Sequence, residues 1–170
     1  MEKVRLNLSN GKKIDLVLYP EYAPISCENF LSLVKRGFYD GVVFHRIIDG
    51  FMIQTGGYYI EDNTLKEKES VPTIKGEFSA NGVTNDLKHT VGVLSMARTM
   101  VKDSASSQFF ICVADTPHLD GQYAAFGKTA DDESTAVAIE VGKTPTGMLG
   151  GAFTDFPYDG ISIEKAEIIE

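Results

Sequence analysis

Hydrophobic spacing changes period several times along the chain, and each change marks an element. Val4, Leu6 and Leu8 alternate with Lys3, Arg5, Asn7 and Ser9, and Ile14, Leu16 and Leu18 resume the alternation after Asn10-Gly11. A period of two puts the apolar side chains on one face of a strand. Two such runs around Asn-Gly predict a hairpin with a type I′ turn, which needs positive φ at both central residues. The period then lengthens. Cys27, Phe30, Leu31 and Val34 share one helical face, Pro24 suits the first turn, and Lys35, Arg36 and Gly37 suit the C-terminal end. These signals predict a helix over 24–36.

Beyond it, Gly41 to Ile48 is apolar at almost every position, as in a strand buried on both faces. Phe51 to Gln54 continues this region and Gly56-Gly57 ends it. Glu61 to Ser70 is charged and irregular, and reads as a surface loop. Val91–Met96, Phe109–Val113 and Ala124–Gly127 read as further strands. Val137 with Val141, and Ala136 with Ile139, support a short helix over Ser134–Val141. Ile161 and Ile163 are followed by Ala166 and Ile168, so the closing alternation slips by one, the mark of a bulge. Many strands, two helices and a strand at each end predict a mostly β fold. A closed antiparallel barrel that pairs its termini would leave no exposed edge. No repeat or linker interrupts residues 1–170, which are therefore expected to form a single domain.

Composition narrows the partners. The net charge of −8 opposes nucleic acids and anionic membranes, which select basic faces. No run approaches the roughly 18 apolar residues of a membrane span, and no apolar leader follows Met1. A cytoplasmic monomer without nucleic-acid or membrane partners is expected. Cys27 and Cys112 both lie in apolar segments, which predicts buried thiols rather than a disulfide.

Familiar catalytic constellations are missing. His45, His89 and His118 lack metal-binding spacing, and there is no phosphate-binding loop or nucleophile elbow. No metal or cofactor is expected. Ser95 with His89 and Asp86 is a conceivable hydrolytic set, but it rests on residue types alone. Arg46 is the anomaly, because it falls among Val42, Phe44 and Ile48, and an unpaired buried guanidinium is very costly. It is either a structural arginine paired with a carboxylate or a cation at the floor of a groove. Gln54 is then the nearest amide to orient it. Phe51, Met52, Phe110 and Leu119 read individually as core residues.

Four ordered runs resemble the cyclophilin-type peptidyl-prolyl cis–trans isomerases, in a bacterial style. They are Phe44-His45-Arg46-Ile47-Ile48-Asp49-Gly50-Phe51-Met52-Ile53-Gln54, Gly92-Val93-Leu94-Ser95-Met96-Ala97, Ser107-Gln108-Phe109-Phe110-Ile111, and Leu119-Asp120-Gly121 through Phe126-Gly127. The resemblance covers essentially the whole chain. It implies an eight-stranded antiparallel β-barrel capped by two helices, with the groove on the barrel's outer face. It implies Arg46 as the catalytic arginine, a proline pocket of Phe51, Met52, Phe110 and Leu119, and Gln54 as the residue that orients Arg46 and the peptide. It implies too that Ala97 lines the groove and that the backbone of Arg98 pairs with the substrate chain. The implied partners are proline-containing segments of client proteins.

Some positions depart from the family pattern. Arg98 replaces an asparagine, His118 stands where many members carry tryptophan, and Tyr123 replaces a groove histidine. His118 implies weakened cyclosporin binding, and the Met100–Ser106 loop is one residue longer than in common eukaryotic members. Two rival readings remain: a binding module of the same fold without turnover, and the hydrolase.

Overall fold

The computed structural model describes residues 2–150 and 153–170. Among the described residues, twelve strands and two α-helices follow one another: β1 Lys3–Leu8, β2 Lys13–Leu18, α1 Pro24–Lys35, β3 Arg46–Ile48, β4 Met52–Thr55, β5 Tyr58–Glu61, β6 Thr64–Glu67, β7 Val93–Met96, β8 Phe109–Cys112, β9 Ala125–Thr129, α2 Asp132–Gly142, β10 Thr146–Gly147, β11 Phe156–Pro157 and β12 Ile163–Ile168. Eight of them form one sheet, in the order β12-β1-β2-β9-β7-β8-β4-β3, antiparallel at every pairing.

That sheet curls strongly, but its ladder is open, which corrects the expectation of a closed barrel. β12 and β3 are the edges. Residues ahead of β3 divide their bridges between two partners, Val42 with Tyr59 and Val43 with Ser162, so no continuous ladder forms there. The gap is spanned instead by single hydrogen bonds. Gly41 N–H donates to Ile163 O, Ile163 N–H to Val42 O, and Phe44 N–H to Ile161 O.

The terminal strands pair as the alternation requires. β1 lies between β2 and β12, and the register with β12 shifts between Asn7 and Leu8, where Leu8 meets Ile163 and Asn7 meets Lys165. The extra residue, Glu164, lets Ile163 and Ala166 both point inward, as the slip in the sequence predicted.

Two turns exchange roles relative to the sequence reading. At Asn10-Gly11 only Gly11 has positive φ, +81°. Gly11 N–H donates to Leu8 O, Leu8 N–H to Lys12 O, and the Asn10 side chain accepts from Lys12 N–H. This is a three-residue loop with a glycine bulge rather than a type I′ turn. The expected loop over 61–70 instead contains the β5–β6 hairpin, whose central Asp62 and Asn63 have φ of 53° and 59°. Short side chains that tolerate the left-handed region make the two-residue turn there.

α1 packs against β9 and β12, and α2 against β2. Phe30 of α1 sits at the centre of the core, with ring centroids 5.4 Å from Tyr39, 5.1 Å from Phe109 and 5.4 Å from Phe126. The N-terminus of α1 has no capping side chain of its own, since Ala23 stands at the cap. Glu77 replaces it from a distant loop. Its buried carboxylate accepts from Ile25 N–H at 3.2 Å, Ser26 N–H at 2.6 Å and Ser26 Oγ at 2.8 Å. α2 is capped locally, Asp131 accepting from Ser134 N–H at 2.7 Å.

Cys27 and Cys112 are free and buried, as expected, and burial pushes their thiols up to about 12 and about 11. Among the described residues, no helix is long and apolar enough to cross a membrane. Likewise, no three His, Cys, Asp or Glu side chains cluster to hold a metal ion.

Candidate active site

Strand alternation sends neighbouring residues to opposite sides of the sheet. Phe109 and Ile111 of β8 join the main core, while Phe110 and Cys112 join a second, smaller apolar cluster on the other face. β4 divides the same way, with Ile53 inward and Met52 in the second cluster. Leu119, from a short 3₁₀ turn at Pro117–Leu119, completes the second cluster's centre, with Phe51, Ala97 and Tyr123 packed at its margin.

This cluster is the floor of a groove of about 260 Å³, lined among others by Arg46, Phe51, Met52, Gln54, Ala97, Arg98, Phe110, Leu119 and Tyr123. Nine of the ten residues singled out in the sequence therefore meet around one opening. The volume lies just under the ~300 Å³ at which small-molecule clefts begin, so it suits one ring and its flanking backbone. His118 is the exception. It lies outside the lining, with its ring tilted by 33° against Phe51 at 5.6 Å, and so backs the pocket wall.

Register places the polar groups. Arg46 of β3 faces Gln54 of β4, and Gln54 faces Phe110 of β8. Arg46 Nη1 donates to Gln54 Oε1 at 3.3 Å, and Gln54 Nε2 donates to Gln108 Oε1 at 2.9 Å. The guanidinium is exposed, in a run where Val42 to His45 and Ile47 are all buried. A buried arginine with a carboxylate partner is thus not what the fold builds. Among the described residues Arg46 has no ion pair, and its only side-chain partner is an amide.

Gln108 was not singled out in the sequence. The signal was available: it stands two residues before Phe110, on the same face of an extended run. Its place depends on Gly56 and Gly57. A Cβ on Gly57 would stand 2.5 Å from Gln108 Nε2, and one on Gly56 would stand 2.7 Å from Ser107 O. Ser107 Oγ donates to Gly56 O and Tyr39 Oη to Ser107 O, both at 2.8 Å, fixing this junction.

His45 lies beside Arg46, 6% exposed, with its ring 4.7 Å from that of Tyr58. Its Nδ1 has no hydrogen-bond partner among the described residues. Burial, and then the charge of Arg46, pushes the imidazole down to about 4, with the Gln108 amide opposing. It is neutral near pH 7.

Beneath Phe110 lies a buried hydrogen-bond chain. His89 Nε2 is 2.9 Å from Ser95 Oγ, and His89 Nδ1 is 3.1 Å from Asp120 Oδ1. Burial lowers the His89 pKa, against the opposing effect of Asp120. The acid is Asp120, not the exposed Asp86 that the sequence suggested. Ser95 has no exposed surface and His89 is 1% exposed, stacked on Phe110 at 6.1 Å. A nucleophile sealed beneath the floor cannot reach a substrate, so the hydrolase reading fails on access rather than on geometry.

Arg98 and Tyr123 line another side of the groove, with the buried Phe78 ring behind Arg98. The Arg98 guanidinium carbon stands 4.8 Å from the Phe78 ring centroid and 4.6 Å from that of Tyr123. Tyr123 in turn meets Phe110 edge-on at 5.8 Å.

A half-open cleft with an apolar floor on a curled antiparallel sheet, with two arginines in its lining and the Ser95–His89 pair sealed beneath it, defines a binding groove rather than a hydrolytic site. Comparison with known proteins gives the family. A family model described as "Cyclophilin type peptidyl-prolyl cis-trans isomerase/CLD" matches residues 3–168, and the chain belongs to that family. It is 41% identical over 172 residues to peptidyl-prolyl cis-trans isomerase A of Dickeya dadantii (strain 3937), covering 98% of this chain and 84% of that protein. It is 38% identical over 167 residues to peptidyl-prolyl cis-trans isomerase ppi1 of Schizosaccharomyces pombe, covering 98% of each. Among solved structures, a Cryptosporidium parvum cyclophilin-type peptidyl-prolyl cis-trans isomerase, crystallised in the presence of the dipeptide Ala-Pro, matches with a TM-score of 0.76. The two are 28% identical, and the match covers 99% of each chain.

Proposed function

We propose that the groove accelerates rotation about X-Pro bonds by hydrogen bonding from Arg46 to the proline nitrogen in the twisted transition state. The observation that carries this reading is the exposed Arg46 guanidinium, held by the Gln54–Gln108 amide pair above a floor of Met52, Phe110 and Leu119.

The reaction sets the requirement. Rotation about a peptide bond crosses roughly 18–20 kcal/mol because resonance is lost when the bond twists. X-Pro bonds interconvert over tens to hundreds of seconds unaided. Acceleration from about 10⁻² to about 10³ per second takes roughly 7 kcal/mol off the barrier. In the planar ground state the proline nitrogen shares its lone pair with the carbonyl. In the twisted state that pair localises and accepts a hydrogen bond. A donor fixed at that point binds the transition state and not the ground state, which is what catalysis needs.

Each groove residue then has a part. Phe51, Met52, Phe110 and Leu119 hold the proline ring and exclude water from the Arg46 contact. Gln54 orients Arg46, and Gln108 orients Gln54. Ala97 leaves room for the peptide, and the Arg98 backbone pairs with it as an added strand pairs with an edge. Tyr123 walls the groove and His118 supports Phe51. The substrates are proline-containing segments. Cyclosporin binds with weakened affinity, because His118 gives Phe51 a smaller backing than tryptophan would.

The test is turnover of a short X-Pro peptide by the purified wild-type protein, followed as the approach to cis–trans equilibrium. Catalysed exchange is expected. Binding of the peptide without catalysed exchange would instead establish a peptide-binding module.

A further inference from the structure

Beside the groove, the side chains of Arg98 and Lys102 are cations with no carboxylate partner among the described residues, and neither side-chain charge takes part in the isomerisation step. Arg98 donates from Nε at 3.1 Å and Nη2 at 2.6 Å to Gln122 O, and from Nη1 at 2.9 Å to Thr99 O. Lys102 Nζ donates at 2.8 Å to Ala80 O. All four hydrogen bonds go to neutral backbone carbonyls, three in number. Among the described residues neither cation forms an ion pair, although the chain carries a net charge of −8.

Nearby carboxylates are engaged elsewhere. Asp103 accepts from Gly76 N–H and Asn81 Nδ2, Glu77 caps α1, and Asp120 holds His89. Both cations have anchoring contacts. Arg98 is gripped between the Phe78 and Tyr123 rings. The loop that carries Lys102 is tied by Thr99 Oγ1 and Thr99 N–H to Ser104 Oγ, and by Ser104 Oγ to Val101 O. Arg98, Thr99, Met100, Lys102, Gln122 and Tyr123 together line a shallow depression that shares Arg98 and Tyr123 with the groove. No hydrogen bond among the described residues uses the Arg98 backbone N–H or C=O, which leaves both free for an extended peptide running past the depression.

We propose that Arg98 and Lys102 form a cationic subsite beside the groove that selects substrates with an acidic side chain near the proline. A cation whose hydrogen bonds go only to carbonyls keeps its full charge for a visiting carboxylate. The inference rests on the isomerase reading, since it concerns the peptide which that groove turns over.

The test is a peptide series in which one residue is walked from three positions before the proline to three after, as Glu, Gln or Lys. At low salt, Glu is expected to lower KM about three- to fivefold relative to Gln at one or two positions on a single side of the proline, as exposed ion pairs allow. Lys at those positions raises KM. About 0.5 M salt removes the difference by screening. Lys102→Gln, which leaves turnover of the Gln peptides unchanged, cuts the Glu preference by at least half. Equal KM for Glu and Gln at every position, or a preference untouched by Lys102→Gln, overturns the proposal. Failure of the wild type to turn over any Gln peptide overturns the isomerase reading itself, and the subsite with it.

Discussion

Arg46 and Gln54 face each other across the β3–β4 ladder, with Arg46 Nη1 3.3 Å from Gln54 Oε1. An amide oxygen can aim a guanidinium without neutralising it, which a carboxylate would do. The charge therefore stays available to the groove. Arg46→Ala is expected to lower kcat/KM by one to three decades with an unchanged melting temperature, a loss of roughly 1.4–4 kcal/mol of transition-state stabilisation. Arg46→Lys recovers little of it, because an ammonium lacks the planar fork. The peptide isomerisation assay with both variants checks this, and wild-type turnover in Arg46→Ala removes the role given to Arg46.

Gln108 acts one step further back. Gln108→Ala leaves Gln54 without its partner at 2.9 Å, so Arg46 is aimed less well. We expect kcat to fall about 5- to 30-fold with KM nearly unchanged, the signature of an interaction felt in the transition state. Gly57→Ala provides an independent check. Its Cβ would stand 2.5 Å from Gln108 Nε2 and displace that side chain. The same kcat-selective loss is expected, and a double variant no worse than either single one.

His45 makes stability fall in mild acid. Its imidazole titrates near 4 when folded and near 6.5 when free, so between those values the unfolded chain binds the extra proton. The contribution is fully present above about pH 6.5 and is lost as the pH falls towards 4. His89, also lowered by burial, adds to the same trend. Denaturant midpoints measured from pH 7 to pH 4 should decline, and His45→Phe should flatten part of that decline. An equally steep decline in His45→Phe would show that other groups govern it.

Glu77 supports α1 from far along the chain. Glu77→Ala strips partners from the Ile25 and Ser26 N–H groups and from Ser26 Oγ. A loss of about 2–3 kcal/mol of unfolding free energy is expected from donors left unpaired in a buried place. Urea denaturation measures it. The isomerase site lies on other elements, so kcat at a permissive temperature should hardly change.

Much of this was legible in the sequence because strand and helix periods report burial directly. The β1–β2 alternation, the helical face of Cys27, Phe30 and Val34, and the slip between Ile163 and Ala166 each appear in the fold where the pattern put them. The apolar run 41–48 misled on one point. Arg46 reads as buried among such neighbours, but the run is regular strand only over Arg46–Ile48, at a sheet edge where the guanidinium projects into open space. The β5–β6 hairpin was hidden by its charged and exposed side chains, although Asp62-Asn63 is a turn signal. Closure of the barrel was an inference from edge avoidance, and single hydrogen bonds serve that purpose without a ladder. The Glu77 cap and the Asp120–His89 link join residues 51 and 31 positions apart, which no local pattern encodes.

Phe109 and Phe110 are adjacent in the chain but belong to different apolar clusters, one on each face of β8. The first is committed to folding, wedged against Phe30 and Tyr39. The second lies in the groove floor, where the proposed peptide rests. Variation can therefore act on the two populations separately. On the proposed function, changes at Met52, Phe110, Leu119 or Tyr123 alter which peptides the groove takes, while the ring cluster on the far side keeps the sheet standing. One scaffold of this kind can be re-cut many times on its outer surface, because the side that holds it together faces the other way.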